Sequence, residues 1–276
     1  MFEDEVSVSP ETVRRLESVE RDGIADLFAA APDALRQSAG MAHEDIDDGL
    51  AIVCRAADVI PFNRLQGLGR KAPPRQEALD RALALFAKAG VANWIVQAAP
   101  HTEPLSRLVA ERGLVRHRRT WAKFILDPAV VPEAATDIDI REIGPDNAMA
   151  FGDPSAEVFG LPMTLSPWLA AIVGRPGWRV FAGFDGGQVA GAAAIWISDG
   201  SAWLGFAVTR SAFRGRGLQK AMLARRIAAA VEAGCDLIST ETGIPQPGEA
   251  GPSFRNIERA GFRIAYKRPN YCRPQA

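Results

Sequence analysis

Three cysteines, three histidines and two tyrosines among 276 residues leave little material for several kinds of chemistry. Cys54, Cys235 and Cys272 are widely spaced and odd in number, which suits a reducing cytoplasm better than a disulfide framework. With no Cys-x-x-Cys and no Cys/His cluster, no metal site is expected. His43, His101 and His117 all fall in the first half, where a structural or surface role is the default, so Cys272 has no histidine in its own half to activate it as a nucleophile. No apolar run approaches the ~18 to 20 residues that cross a bilayer. The N-terminus is acidic at Glu3, Asp4 and Glu5 rather than basic and apolar. Lys plus Arg (32) nearly cancels Asp plus Glu (33), so no global field points to nucleic acid or a membrane surface. The expectation is a cytoplasmic protein, monomer or homodimer, with a small-molecule partner.

Apolar residues make up 47% of the chain and charged residues 24%, enough for a sizeable core in one large or two modest domains. Helical spacing of Val13, Leu16, Val19, Ile24, Leu27 and Leu35 predicts helix within 8–40, with Ser9-Pro10 as its cap and first turn. A strand is expected at Leu50 to Val53. After Pro73-Pro74 come an amphipathic helix to Ala89, a strand at Trp94 to Ala98, a short helix to Glu111, and a strand at Arg118 to Leu126. The Pro-, Ala- and acid-rich stretch 129–137 reads as a linker between domains 1–128 and 138–276. Beyond it lie a strand at Ile138 to Arg141, helices near 146–159 and 167–173, and a hairpin turning at Asp185-Gly186-Gly187. A strand at Trp203 to Thr209, a helix ending at Gly234, a strand at Leu237 to Glu241, a helix at Ser253 to Arg259 and a final strand from Arg263 complete the chain.

The halves repeat one another. Lys88-Ala89-Gly90 matches Glu232-Ala233-Gly234, and Glu111-Arg112-Gly113-Leu114 matches Arg259-Ala260-Gly261-Phe262. Each half then runs strand, long helix, strand, short helix, Gly-apolar, strand, which reads as a duplication, with the common grammar of α/β chains as the alternative. They differ at one turn. Arg214-Gly215-Arg216-Gly217 stands ahead of a helix in the second half, where unpaired helix-start amides and the macrodipole favour an anion. The first half has Gly67-Leu68-Gly69-Arg70-Lys71-Ala72-Pro73-Pro74, and its prolines remove donors. Gly-x-Gly alone fits a plain strand-to-helix turn equally well, and a nucleotide P-loop is excluded because Ala221 follows Lys220.

Strand, Arg214-Gly215-Arg216-Gly217-Leu218-Gln219 and the downstream Asn256-to-Phe262 segment together resemble the GCN5-related N-acetyltransferase (GNAT) family, with Gln219 departing from the last motif position. The resemblance covers about 136–276, and the first half resembles a degenerate copy of the same fold. It implies an α/β (α+β) architecture of two GNAT-like domains, each with a mixed, mostly antiparallel sheet flanked by helices.

For activity, the resemblance implies transfer of an acetyl group from acetyl-coenzyme A to a primary amine of a small molecule or amino-acid-like acceptor. The alternative is a non-catalytic acyl-coenzyme A-binding module. The backbone of Phe206, Ala207 and Val208 would pair with the pantetheine arm, the Val208 amide polarising the thioester carbonyl. Arg214, Gly215, Arg216, Gly217, Leu218 and Gln219 would hold the pyrophosphate, and Asn256 would meet the pantetheine or cap its own helix. Glu241, at the end of its strand, is the candidate base, or a salt-bridge partner of an arginine. Relatives' tyrosine position holds Ile257, which leaves Tyr266, ahead of Tyr271, as the candidate acid, with packing as the alternative for each. Trp168, Trp178 and Trp196 read as core, with Phe159 and Trp168 able to line an acceptor pocket.

Overall fold

The structure, a computed structural model, describes residues 5–100 and 103–274, so Glu3, Asp4 and His101 lie outside the described residues. The first half contains α1 (Pro10–Ala29), α2 (Asp33–Ser38), β1 (Met41–Ile46), β2 (Gly49–Cys54), β3 (Arg64–Gln66), α3 (Gln76–Ala89), β4 (Ile95–Gln97), α4 (Glu103–Glu111), β5 (Val115–Arg116) and β6 (Trp121–Leu126). The second contains β7 (Asp139–Glu142), α5 (Met149–Phe159), α6 (Ser166–Ala170), β8 (Trp178–Asp185), β9 (Gln188–Ser198), β10 (Ser201–Trp203), β11 (Ala207–Thr209), α7 (Leu218–Glu232), β12 (Leu237–Gly243), α8 (Pro252–Arg259), β13 (Arg263–Arg268) and β14 (Asn270–Cys272).

Local signals set most boundaries. The Ser9 side chain accepts the Thr12 amide and Pro10 occupies the first turn of α1. The helical region expected over 8–40 is two helices, because Pro32 cannot continue the first and instead precedes α2. The repeat survives in hydrogen bonds: Leu114 donates to the Val109 carbonyl at 3.0 Å, and Phe262 to the Ile257 carbonyl at 3.3 Å, each wrapping the end of a short helix. The strand expected from Trp203 to Thr209 is broken. Phe206 has a φ of 32°, which ends β10 and restarts the chain as β11.

Two mixed sheets result, one six-stranded in the order β1-β2-β3-β4-β14-β5, the other eight-stranded in the order β13-β6-β12-β10-β9-β8-β7 with β11 on β9. Pairing is antiparallel except at β3·β4 and β10·β12. The halves exchange strands. β6, from the first half, lies between β12 and β13 of the second, with Glu241 and Tyr266 both opposite Lys123. β14, from the second half, lies between β4 and β5 of the first, with Tyr271 opposite Val96 and Arg116. The linker stretch therefore separates the halves in sequence, while each sheet contains a strand from across it.

Helix α1 is shared as well. Leu27 and Phe28 pack with Phe151, Trp168 and Leu169 of the second half, and the Trp168 indole donates to the Leu27 carbonyl at 2.8 Å. Val13 and Leu16 pack on Leu237 and Tyr266. Trp168 is thus core and does not face a substrate pocket. Phe86 and Trp94 stack in the first half's own core, and Phe124, Phe181, Met222 and Phe254 fill the second's. No helix among the described residues is long and apolar enough to cross a membrane.

Candidate active site

The break between β10 and β11 opens the second sheet. β10 pairs with both β9 and β12, and Leu204 still donates to the Ser239 carbonyl at 2.8 Å, whereas β11 pairs with β9 alone, so the backbone from Gly205 to Thr209 parts from β12. A buried arginine holds the parting: Arg226 on α7 donates to the Gly205 carbonyl at 2.7 Å, the Ala194 carbonyl at 3.2 Å and the Met222 carbonyl at 3.3 Å. Burial pulls its pKa down to about 9, so it stays charged at neutral pH and those carbonyl dipoles solvate it.

A cleft follows. Its outer part, about 610 Å³, is lined by Ala207, Val208, Thr209, Arg214, Gly215, Gly217, Leu218, Gln219 and Asn256. Among the described residues the amides of Gly215 to Gln219 donate to no protein acceptor, so a row of donors faces this space at the start of α7. Gly217, at φ 80°, is required twice over: a Cβ there would strain the backbone and sit 2.6 Å from the Ala135 carbonyl oxygen. The Thr209 hydroxyl is buried in the cleft wall without a partner. The donor row, the unpaired hydroxyl and the unpaired strand edge suit a ligand with an anionic head and an amide-bearing arm.

Two expectations change. Arg216 is held by Asp137 (Nη2 to Oδ2, 2.6 Å) and Asp185 (Nη1 to Oδ2, 2.6 Å), and is neutralised by them, whereas exposed Arg214 has no such partner among the described residues. The Val208 amide does not point into the cleft. Ala194 donates to Phe206 and Arg210 to Ala190, so alternation directs Val208 at Ala192 and leaves the Ala207 and Thr209 backbone groups facing outward. Asn256 meets its neighbour: its Nδ2 donates to the Gln219 side chain at 2.9 Å.

Inward, the cleft narrows to about 190 Å³ among Gly205, Phe206, Ala207, Gln219, Arg226, Glu241 and Asn256. It then meets a cavity of about 480 Å³ between the halves, lined by Phe62 and Arg64 from one and Phe159, Trp203, Phe206 and Glu241 from the other, with Trp121 of β6. Phe159, Phe206, Glu241 and Thr242 line both spaces. Glu241 stands at the junction. Its Oε2 accepts the Trp203 indole at 2.6 Å and the Lys123 ammonium at 3.2 Å, while Oε1 accepts nothing among the described residues. Burial, with the charge of Glu20 behind it, pushes its carboxyl above the ordinary range, against the pull of Lys123 and Arg268.

Behind Glu241 lies a charge network that the sequence did not announce. Lys123 reaches Glu20 at 2.6 Å; Arg268 binds Glu20 at 2.8 and 3.0 Å and Glu17 at 3.1 Å; Arg64 binds Glu20 at 3.1 Å. Despite its burial, Glu20 is held far below the ordinary carboxylate range by Arg268, Lys123 and Arg64. Tyr266 belongs to this network and not to the cleft: it is buried and donates to Glu17 at 2.7 Å. Burial and the Glu17 charge raise its phenol well above the usual value, so the acid role expected for it has no geometric support.

The first half's counterpart loop is closed by a carboxylate that nothing in the local sequence marks. Asp48, at the β1–β2 turn, accepts the amides of Gly69 (2.9 Å), Lys71 (2.5 Å) and Ala72 (3.4 Å), so the donors that precede the prolines are already paired. The spaces on either side of the loop are about 220 and 440 Å³. Among the described residues no group of His, Cys, Asp or Glu is arranged to hold a metal ion.

Residues 152–249 match the model of the acetyltransferase (GNAT) family. A search of curated proteins gave no match. The fold is that of a GCN5-related N-acetyltransferase from Kribbella flavida (16% identity, 96% of each chain covered, TM-score 0.60). It is also that of a GCN5-related N-acetyltransferase from Sphaerobacter thermophilus (16% identity, 100% of this chain and 98% of that one, TM-score 0.57). A tandem GNAT protein from the clavulanic acid biosynthesis pathway, solved without acetyl-coenzyme A, is similar to the same degree (16% identity, 96% of each chain, TM-score 0.57). The second half thus matches the GNAT family's sequence over residues 152–249, and the chain as a whole shares the two-sheet fold of the tandem GNAT protein.

Proposed function

We propose that this protein is a cytoplasmic N-acetyltransferase that moves the acetyl group of acetyl-coenzyme A directly to a primary amine of a small molecule. One observation carries the reading: a continuous cleft runs from the unpaired amides of Gly215 to Gln219, past the parted strands, to Glu241. A thioester bound along it supplies an activated acyl carbonyl. Gly215 to Gln219 and Arg214 bind its phosphates, and the Ala207 and Thr209 backbone groups orient its arm. Glu241 Oε1 accepts the proton of the attacking nitrogen, directly or through water, while Trp203 and Lys123 fix the carboxylate through Oε2. Trp203 and Phe206 screen the reacting atoms from water.

A non-catalytic acyl-coenzyme A-binding module is the second reading, favoured by Ile257, which offers no proton where it lines the narrow part of the cleft. Calorimetry with acetyl-coenzyme A followed by thiol release over a panel of amines separates the two. Tight binding without release on any amine would favour the module, and absence of binding would remove both.

A further inference from the structure

The acceptor cavity has two charged poles. Glu241 stands at one, at the junction with the cleft. Arg64 stands at the other: it lines the same cavity, its side chain is 3% exposed, and only Nη2 is spent on Glu20. Its Nε has no hydrogen-bond partner among the described residues, and the guanidinium lies 5.1 Å from the centre of the Trp121 ring. A buried guanidinium donor left unpaired is costly, and a ligand oxygen would remove the cost. Arg268 also has a buried Nε without a hydrogen-bond partner, but both its Nη atoms are engaged, in four bonds to Glu17 and Glu20, and it does not line the cavity.

The charge balance restricts what can enter. Glu17, Glu20 and Glu241 face Arg64, Lys123 and Arg268, three against three, so the buried network is neutral when all are ionised. An ammonium alone would add uncompensated positive charge beside three cations. A molecule with both an ammonium and a carboxylate keeps the balance and meets each pole with its opposite. The remaining wall is apolar, and its lip is made by two exposed apolar residues, Val59 (40%) and Phe159 (42%), one from each half. Phe62 and Trp203 continue that surface inward. The volume lies in the range of small-molecule sites.

We infer that the acceptor is an amino acid with a large apolar side chain, its ammonium at Glu241, its carboxylate at Arg64 and its side chain among Phe62, Phe159 and Trp203. The inference rests on the transferase reading for the role of Glu241, and it gives the first half a substrate-reading function through Arg64.

L-Phenylalanine and 2-phenylethylamine differ only by the carboxylate and test it on the wild-type protein. Two readouts are needed: thiol release from acetyl-coenzyme A, and quenching of Trp121 and Trp203 fluorescence by the acceptor alone. A preference for phenylalanine of about tenfold or more is expected in both, the size set by a charge-assisted guanidinium–carboxylate bond. Arg64→Gln should bring the ratio toward one; Arg64→Lys, which keeps the charge beside Glu20, covers the case in which that variant does not fold, and should reduce the ratio. Preference in fluorescence without thiol release supports the site while sinking the transferase reading. Release or binding with no preference for phenylalanine overturns the inference and leaves the transferase reading standing.

Discussion

Lys123 and Glu241 sit side by side on neighbouring strands, ammonium to carboxylate at 3.2 Å, although 118 positions separate them in the chain. The pairing exists only because β6 of the first half is built into the second half's sheet. Lys123 turns from there to Glu20 on α1 at 2.6 Å, so the candidate base is tied to three segments at once. Glu241→Gln should cut turnover by about 10² to 10⁴-fold while sparing acetyl-coenzyme A affinity, as measured by thiol release and calorimetry. Because burial raises the Glu241 carboxyl, the acid limb of kcat/KM should lie above the ordinary glutamate range, activity rising with pH as the carboxylate forms. Lys123→Met removes a group that pulls this value down. It should move the limb to higher pH, a shift that a merely structural role would not produce.

Glu20 responds to pH in the opposite direction. Its folded value is depressed by Arg268, Lys123 and Arg64, so its stabilising contribution is complete above the unfolded value of about 4.3 and is lost as pH falls through the folded one. Acidification therefore protonates Glu241 first, and unfolding should set in only below about pH 4.3 as Glu20 takes a proton. Glu20→Gln leaves three buried cations short of a partner and should cost about 3 to 5 kcal/mol in urea unfolding at neutral pH. A stability loss well under 1 kcal/mol would show that the network is not held by this carboxylate.

The parts legible in the sequence are those whose cause is local. The caps at Ser9-Pro10, the glycine stops, the repeat and the 214–219 loop are all written in neighbouring residues, and the helices expected from them stand within a few positions, whereas the short strands β1, β5 and β14 had no expected counterpart. Glu241 was legible as the end of a strand beside the loop. Glu17 and Glu20 were not, because two glutamates on an amphipathic helix read as its wet face, while here both are buried between sheets. Arg64 and Asp48 act through partners brought near by the fold. The exchange of β6 and β14 leaves no local trace either, since a strand's pattern states which face is apolar and not which neighbour it pairs with. Tyr266 packs rather than acts for the same reason: β13 lies across β6 from β12, away from the end of the cleft where Glu241 stands.

Gly215 and Gly217 have similar backbone angles, φ 83° and 80°, and different surroundings. A Cβ on Gly215 meets nothing within 4 Å, whereas one on Gly217 meets the Ala135 carbonyl. Gly215→Ala should lower stability by about 1 kcal/mol, the cost of the left-handed conformation. Gly217→Ala adds the clash and must shift the start of α7 away from the linker. Calorimetry with acetyl-coenzyme A should show the larger loss of affinity for Gly217→Ala, and equal losses would contradict the steric argument.

Asp48 makes the stoichiometry of cofactor binding a sharp quantity. With its carboxylate on the amides of Gly69, Lys71 and Ala72, the chain should bind one acetyl-coenzyme A and not two. Asp48→Ala should cost about 1 to 3 kcal/mol by leaving those amides unpaired. It should not create a second site, because Pro73 and Pro74 supply no donors. A second binding event in wild-type calorimetry would overturn this account of the silent loop.

Strand exchange predicts how the chain behaves when cut. A protease site placed within 129–137 interrupts no strand, yet β6 remains hydrogen-bonded to β12 and β13, and β14 to β4 and β5. The two pieces should therefore stay together through gel filtration after cleavage and retain thiol-releasing activity. Expressed singly, each piece lacks an interior strand of its own sheet and exposes the strand meant for the other, leaving unpaired backbone edges that invite aggregation. Residues 138–276 alone also lack Lys123, Glu20 and Arg64, so even a soluble fraction should bind acetyl-coenzyme A without turning over an amine. Activity of that fragment comparable to the full chain would show that the second sheet can complete itself, and with it that the first half supplies nothing the reaction needs.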